Sequence, residues 1–326
     1  MQVFIPTSLS VLFLVLTFVM VNLIVGFAIT RIRKYSLATV LAWLLLIVSI
    51  VGIERFTHLQ PPGFRMLSII LLTLFSMKVI VSVAYYKNKE NKLSFIQWIA
   101  FSAGWFGMRP NLFESLGQNS LPGNCKLILV GLSKILIGLI LLVFAGLISS
   151  NYSGTPFTVL ALGFTLVGIS LILHFGILNM SAGFWRLSGV DTRTLFRSPL
   201  LSTSLSEFWG RRWNIAFSEM TSIALYRPLK ISVGKNFAML IAFLFSGLLH
   251  EMAISIPVKA GYGLPMLYFL IHGFLMLVEN GLEKKGIIIG KNKWIGRAWV
   301  IFWLLLPLPI LFHIPFLKGV VLPIIR

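Results

Sequence analysis

Residues 8–30 carry no charged side chain, and seven further stretches are predominantly apolar: 37–53, 66–86, 127–149, 156–178, 234–256, 262–281 and 295–314. A helix needs about 20 apolar residues to cross the hydrocarbon core of a bilayer. Within that core every backbone N–H and C=O must be bonded inside the protein, so runs of this kind are restricted to helices. The expected fold is therefore all-α, a polytopic integral membrane protein with about eight transmembrane helices. With 57% hydrophobic and 11% charged residues and a mean hydropathy of +0.92, a soluble globular fold is excluded. The first run is too long for a signal-peptide core and lacks a basic residue before it, so it is expected to remain as a span. The single Cys125 allows no intrachain disulfide and has no spaced partner for a metal site.

A formal charge of +19 would suit nucleic acid in a soluble chain, but here the basic residues fall mainly in the loops between apolar runs. Counted over alternate loops, twenty lie on one side and five on the other. The positive-inside rule puts the larger set in the cytoplasm and both termini outside. No nucleic-acid partner is expected; the charge serves topology and attraction to membrane lipids and phosphates. A bacterial inner membrane and the endoplasmic reticulum both fit, and 317–326 shows no retention signal.

Two cytoplasmic loops, 87–126 and 179–233, are too long to be simple connections, and long loops in compact proteins are usually functional. Residues 93–105 carry Phe95, Trp98, Phe101 and Trp105 among polar residues and read as a lipid-facing interfacial helix, which GMRP at 107–110 ends. Lys78 and Lys134 lie inside spans and Lys235 at the start of one. Snorkelling to the interface accounts for such lysines; the alternative is a chamber lined for anionic groups. With no internal repeat and no soluble appendage, one integral domain over 1–326 is expected, its motif-bearing core at about 179–281.

The segment 196–227, FRSPLLSTSLSEFWGRRWNIAFSEMTSIALYR, gathers charge, amide and indole as no other part of the chain does. Phe208, Trp209, Arg211, Arg212, Trp213 and Asn214 are its candidate site residues. The second pole is SGLLHE at 246–251, since ionisable groups at membrane depth are costly and are functional candidates by default. On a helix His250 shares its face with Ser246, Gly247, Ala253 and Ile254. Small neighbours leave room either for a substrate or for a closely packed helix. Histidine suits general-base chemistry near neutral pH; Asn214 offers an amide that orients a hydroxyl or stabilises an oxyanion, and the arginine pair offers forks for phosphate. The bland reading of that pair is a positive-inside anchor. Glu251 points about 100° away from His250 and is expected to bind a neighbouring helix or to support the site from behind. His272 and Glu279 share a face two turns apart, too far for a direct pair. For His174 and His313 near span ends, and His58 in an outer loop, a satisfied or solvated histidine is expected. There is no G-x-S-x-G, H-E-x-x-H or Walker A motif and no acidic cluster fit for magnesium, which argues against a serine hydrolase, a zinc protease, a nucleotide-driven pump and a metal-dependent prenyl transferase.

At these residues the chain resembles the wax synthase branch of the membrane-bound O-acyltransferases. SPLLSTSLSEFWGRRWN (198–214), ALYRP (224–228), FLFSGLLHE (243–251), IHGFLMLVE (271–279) and FHIPFLKGVVLP (312–323) carry the resemblance, with GMRP a weaker echo. The resemblance implies membrane helices around an internal chamber, with His250 as catalytic base and Asn214 as its partner across that chamber. It implies transfer of a fatty acyl group from acyl-CoA to the hydroxyl of a lipid alcohol, with no cofactor beyond the acyl-CoA donor. Under this reading Arg211, Arg212, Trp209, Trp213, Phe208 and Glu251 bind substrate. Alternatives are the same chemistry on a sterol, terpenoid or diacylglycerol, or a proton-coupled transporter using His250 and His272. A transporter is expected to show pseudo-symmetric halves and broken helices, and neither is visible.

Overall fold

The computed structural model describes residues 2–326 and contains helices but no strand among them. Eight helices are long and apolar enough to cross a membrane: α1 (Leu9–Arg31), α2 (Tyr35–Thr57), α3 (Pro62–Tyr85), α5 (Asn124–Asn151), α6 (Thr155–Leu187), α9 (Lys235–Val258), α10 (Leu264–Lys284) and α11 (Lys293–Leu311). Shorter helices are α4 (Phe95–Gly104), α7 (205–212) and α8 (215–233). The chain is a multi-pass integral membrane protein. Packing divides it into two compact units, Met1–Thr194 with Leu317–Arg326, and Leu195–Phe316.

In the first unit α1, α2 and α3 pack together around a buried polar clasp. The Asn22 amide donates to Ser49 Oγ at 2.6 Å and Ser76 Oγ at 2.9 Å, one partner on each neighbouring helix. Hydrogen bonds of this kind join helices where apolar attraction between them is weak. In the first turn of α3, Arg65 is buried and pairs with Glu54 of α2 at 2.5 Å. Leu317–Val321 belongs to this unit and packs on α3 and α6.

The aromatic segment after α3 is not a lipid-facing interfacial helix. Ser94 and Gln97 form a reciprocal capping box that starts α4, and Trp98, Phe101 and Trp105 are buried in protein. Trp98 donates its indole N–H to the Leu23 carbonyl at 3.2 Å. Nor does Lys78 snorkel: it is fully buried. Its ammonium donates to the carbonyls of Phe101 at 3.2 Å, Trp105 at 2.8 Å and Gly107. A cation thus satisfies the carbonyls that the end of α4 leaves unpaired, where the helix dipole favours it. Lys134 is half-buried on α5.

α5 and α6 form a hairpin with glycine-lined contact. A Cβ on Gly138 would meet the Gly168 carbonyl oxygen at 2.7 Å, and one on Gly176 would meet Ile135 at 2.5 Å. Gly131 and Gly183 are equally tight, so backbone meets backbone along the pair. α6 runs nine residues past the expected end of its span, so the loop after it is shorter than read from sequence. His174 therefore lies mid-helix, in a π-helical segment (Leu171–Ile177), sharing a hydrogen bond with Ser170 Oγ at 3.1 Å. At the C-terminal end of α6, Arg186 pairs with Asp191 and donates to the carbonyls of Pro122 at 3.0 Å and Thr192 at 2.9 Å.

Gly138→Val should lower the thermal stability of the detergent-solubilised protein by roughly 1–3 kcal/mol or more, because backbone cannot retreat from an added side chain. Gly163→Ala is the control, since nothing lies within 4 Å of its added Cβ. Equal melting curves for the two variants would show that close α5–α6 approach is not what holds the hairpin.

Candidate active site

The Leu195–Phe316 unit holds both poles of the sequence pattern. Its first element, α7, opens with Ser204, whose Oγ accepts the Glu207 N–H at 3.0 Å. Two further N–H groups at this helix start are taken by a carboxylate from α10: Glu279 accepts from Leu205 N at 2.7 Å and Ser206 N at 3.1 Å. The same carboxylate accepts the Trp299 indole N–H at 2.8 Å. Glu279 thus fastens α7 to α10 and α11, a role invisible in sequence because its partners are 74 positions away.

From Phe208 to Arg212 the backbone is π-helical, closed by Trp213 N donating to the Phe208 carbonyl at 2.8 Å. Such segments are rare and concentrate at functional sites. The five-residue spacing brings Phe208 and Trp213 into a stack, centroids 5.5 Å apart and planes 13° apart. Trp209 turns the other way, onto Phe243 of α9 at 6.0 Å and onto Phe269 and His272 of α10 at 5.5 and 5.3 Å.

Arg212 is engaged inside the protein. Its Nε and a terminal nitrogen meet Glu207 Oε1 at 2.8 and 2.7 Å, while its other terminal nitrogen reaches the carbonyls of Arg197 and Ser198 at 3.2 and 3.3 Å. Partial burial pulls the Glu207 carboxyl upward, but the Thr203 N–H and the Arg212 guanidinium outweigh it and hold the group below the ordinary glutamate range. Arg211 is exposed, so of the two guanidiniums expected for phosphate it is the one without a structural task.

Asn214 stands between α7 and α8 with φ 41° and ψ 62°, a left-handed conformation that asparagine tolerates better than most residues. Its side-chain oxygen caps α8 by accepting the Phe217 N–H at 3.2 Å. The amide NH₂ makes no hydrogen bond among the described residues. Phe217 in turn lies edge-on to the ring of His250, centroids 6.3 Å apart.

His250 is partly buried on α9, and its Nδ1 lies 2.7 Å from the Ser246 carbonyl. A carbonyl only accepts, so Nδ1 carries the proton and the neutral ring offers Nε2 as a free lone pair. Phe269 of α10 covers the ring at 4.2 Å. The small-residue face of α9 serves close packing: a Cβ on Gly247 would meet Met266 Cα of α10 at 2.8 Å. Glu251 behaves as expected of a residue facing away from the base, accepting the Gly263 N–H at 2.8 Å where α10 begins.

The remaining histidines divide. His272 is fully buried on α10, with its Nδ1 2.9 Å from the Tyr268 carbonyl. His313 is buried too and is a satisfied histidine. Its Nδ1 accepts the Phe316 N–H at 3.3 Å, so its Nε2–H donates to Ser255 Oγ at 3.3 Å. Burial pushes this imidazole below its ordinary value, opposed in part by the Glu251 charge. His58 is exposed.

These elements define a class: a membrane-embedded protein presenting a tautomerically fixed imidazole and, linked to it through Phe217, an asparagine amide, in an aromatic-rich surround. Residues 192–271, a span that includes Asn214 and His250, match the family model described as "Membrane bound O-acyl transferase family". Three relatives are informative. "Probable long-chain-alcohol O-fatty-acyltransferase 6" of Arabidopsis thaliana is 30% identical over 139 residues, 37% of this chain and 40% of the relative. "Long-chain-alcohol O-fatty-acyltransferase" of Simmondsia chinensis is 33% identical over 105 residues, 29% of this chain and 30% of the relative. "Acyl-CoA--sterol O-acyltransferase 1" of Arabidopsis thaliana is 26% identical over 280 residues, 74% and 79% of the two chains. The chain spans 40% and 30% of the first two relatives' lengths. Over residues 192–271 the chain is thus similar to the membrane-bound O-acyltransferases, and the relatives it matches there include several named for long-chain-alcohol acyl transfer.

The Glu207–Arg212 pair gives a pH signature. A carboxyl depressed on folding contributes stability that is complete above its unfolded value, about 4.3, and is lost as pH falls through the lower folded value. Glu207→Gln should therefore melt below wild type at neutral pH and converge with it below about pH 4. A gap that persists unchanged into acid would remove the ion pair as its cause.

Proposed function

We propose that the protein transfers a fatty acyl group from acyl-CoA to the hydroxyl of a long-chain lipid alcohol. One observation carries the reading: His250 has its Nδ1 tied to the Ser246 carbonyl, which leaves Nε2 as the acceptor in a family whose matched segment contains this residue. His250 Nε2 takes the proton of the alcohol. The oxygen attacks the thioester carbonyl, the resulting oxyanion collapses, and the C–S bond breaks. The thiolate of CoA then receives the proton held by the imidazolium, so that ester and free CoA leave and no acyl-enzyme forms. The unpartnered NH₂ of Asn214 is available to donate to the oxyanion or to orient the alcohol. Exposed Arg211 is the side chain best suited to the donor phosphates, on the basic, cytoplasmic face given by the positive-inside rule. Trp209, Trp213 and Phe208 supply the aromatic wall around the reacting groups.

A sterol acceptor is the second reading, favoured by the breadth of the match to the relative named for acyl-CoA and sterol, which covers 74% of this chain. Purified protein in lipid, given a long-chain acyl-CoA with either hexadecan-1-ol or a sterol, separates the two by which ester accumulates as CoA is released. Release of CoA with neither would send the search to other alcohols; no release at all would end the acyl-transfer reading.

His250→Ala should lower turnover by about 10⁴ or more, the upper range for removal of a general base. Asn214→Ala should cost about 10² to 10³ and, because the side chain also caps α8, about 1 kcal/mol of stability. Asn214→Gly relaxes the left-handed backbone while removing the amide, so it should recover stability without recovering rate. If Asn214→Gly is fully active, the residue serves the turn alone.

A further inference from the structure

α10 ends at Lys284 and α11 begins at Lys293, and both helices are long and apolar enough to cross a membrane. The connection between them therefore lies at the bilayer surface. It is not an ordinary solvated loop. Ile287 and Ile288 within it, and Trp294 and Ile295 in the first turn of α11, are each more than half exposed. Lys284, Lys285, Lys291 and Lys293 stand exposed among them. From Lys284 to Arg326 the sequence contains no Asp or Glu, and Glu283 is the one acid beside the group.

Packing holds these residues as a unit. Asn292 caps α11 by accepting the Trp294 N–H at 2.9 Å and the Ile295 N–H at 3.4 Å. A Cβ on Gly296 would meet the Thr203 carbonyl oxygen at 2.6 Å, and one on Gly290 would meet Thr203 Oγ1 at 3.0 Å. The connection is thus seated on the 199–203 segment, which adds the exposed side chain of Leu200. Arg297 stands one turn into α11, its guanidinium carbon 5.5 Å from the Trp294 ring centre. Its Nε is buried without a hydrogen-bond partner, and the side chain forms no ion pair among the described residues. A buried donor without a partner calls for an acceptor, and a guanidinium fork matches phosphate.

Water would suit the lysines and not the isoleucines and indole, whereas hydrocarbon would suit the reverse. Headgroup depth suits both, since apolar side chains reach the acyl boundary while cations stay at the level of the phosphates. Charge then selects the lipid: five cations beside one carboxylate favour an anionic headgroup over a zwitterionic one. We propose that residues 284–297 form a docking site for an anionic phospholipid, with Arg297 and the adjoining lysines on its phosphate and Trp294 and the isoleucines against the upper part of its acyl chains. The site is independent of the acyl-transfer reading, which gives the donor phosphates to Arg211.

The test titrates the full chain, purified in detergent, with phosphatidylglycerol or with phosphatidylcholine of the same acyl chains, and counts bound lipid by native mass spectrometry. Wild type should bind the first phosphatidylglycerol roughly tenfold more tightly, a preference that shrinks with added salt. Arg297→Gln should weaken phosphatidylglycerol roughly fivefold, the worth of one cation at an anionic surface. Lys291→Gln, Lys293→Gln and Arg297→Gln combined should remove the preference. Lys259→Gln, at the opposite end of α9 and α10 from this connection, should bind like wild type. The proposal falls if wild type shows no preference, or if the triple variant melts like wild type and keeps it. It falls too if free coenzyme A displaces the lipid, which would assign the cations to the nucleotide. Should the triple variant fail to fold, nanodiscs decide: phosphatidylglycerol spin-labelled near the headgroup should quench tryptophan emission more in wild type than in Trp294→Phe, and equal quenching would overturn the site.

Discussion

Every backbone group that a helix leaves unpaired at membrane depth must find a partner inside the protein, and this constraint accounts for the placement of several buried ionisable side chains. Lys78 is spent on the carbonyls at the end of α4. Glu279 is spent on the first N–H groups of α7, and Glu251 on the start of α10. In each case a charged group sits where the helix dipole favours its sign. Ends of short helices can then lie inside the protein, where loops alone would leave them unsatisfied. The candidate catalytic segment depends on this device directly, since α7 carries Trp209 and leads into Asn214.

Much of the fold was legible because hydrocarbon leaves the chain so little choice. All eight spans fall where apolar runs predict them, and the poles around Asn214 and His250 stand out as polar islands. What escaped was everything decided by long-range partners. Lys78 and a snorkelling lysine look alike in sequence, as the carbonyls that bury Lys78 lie 23 to 29 positions away. The α4 aromatics read as an interfacial stripe because amphipathicity does not say which face meets protein. For His313 the sequence left satisfied and solvated open, because its partner Ser255 is 58 positions distant. Gly131 and Gly138 of α5 and Gly176 and Gly183 of α6 each lie seven apart, but that spacing does not say which helix they meet, although they set how close α5 and α6 come.

His250 and His272 are held alike, each with Nδ1 on the carbonyl four residues before it. Helix geometry supplies that acceptor without any third residue, so one rule of local structure orients both rings. Their surroundings then differentiate them. His250 meets the ring of Phe217, whose N–H Asn214 caps, whereas His272 is fully buried beside Trp209 and Tyr268. A sealed imidazole suits holding a hydrogen bond, and a less enclosed one suits trading a proton.

A carbonyl behind the base, in place of a carboxylate, bears on the proposed chemistry. In the serine-protease triad a buried aspartate stabilises the imidazolium that forms during attack. Here the nearest carboxylate in sequence, Glu251, is turned to Gly263, and Ser246 offers only a dipole. The imidazolium is correspondingly less stabilised and readier to release its proton. That favours acyl transfer from a thioester: the departing thiolate, with an ordinary thiol pKa of about 8.5, is a stronger base than imidazole at about 6.5. Proton return is thus downhill as soon as the C–S bond breaks. The difficult half of the cycle becomes the first, in which an alcohol must be deprotonated while it attacks, and rate then depends on how well the hydroxyl and the oxyanion are held. The proposed role of Asn214 follows from that: with no carboxylate behind the base, positioning has to supply what basicity does not.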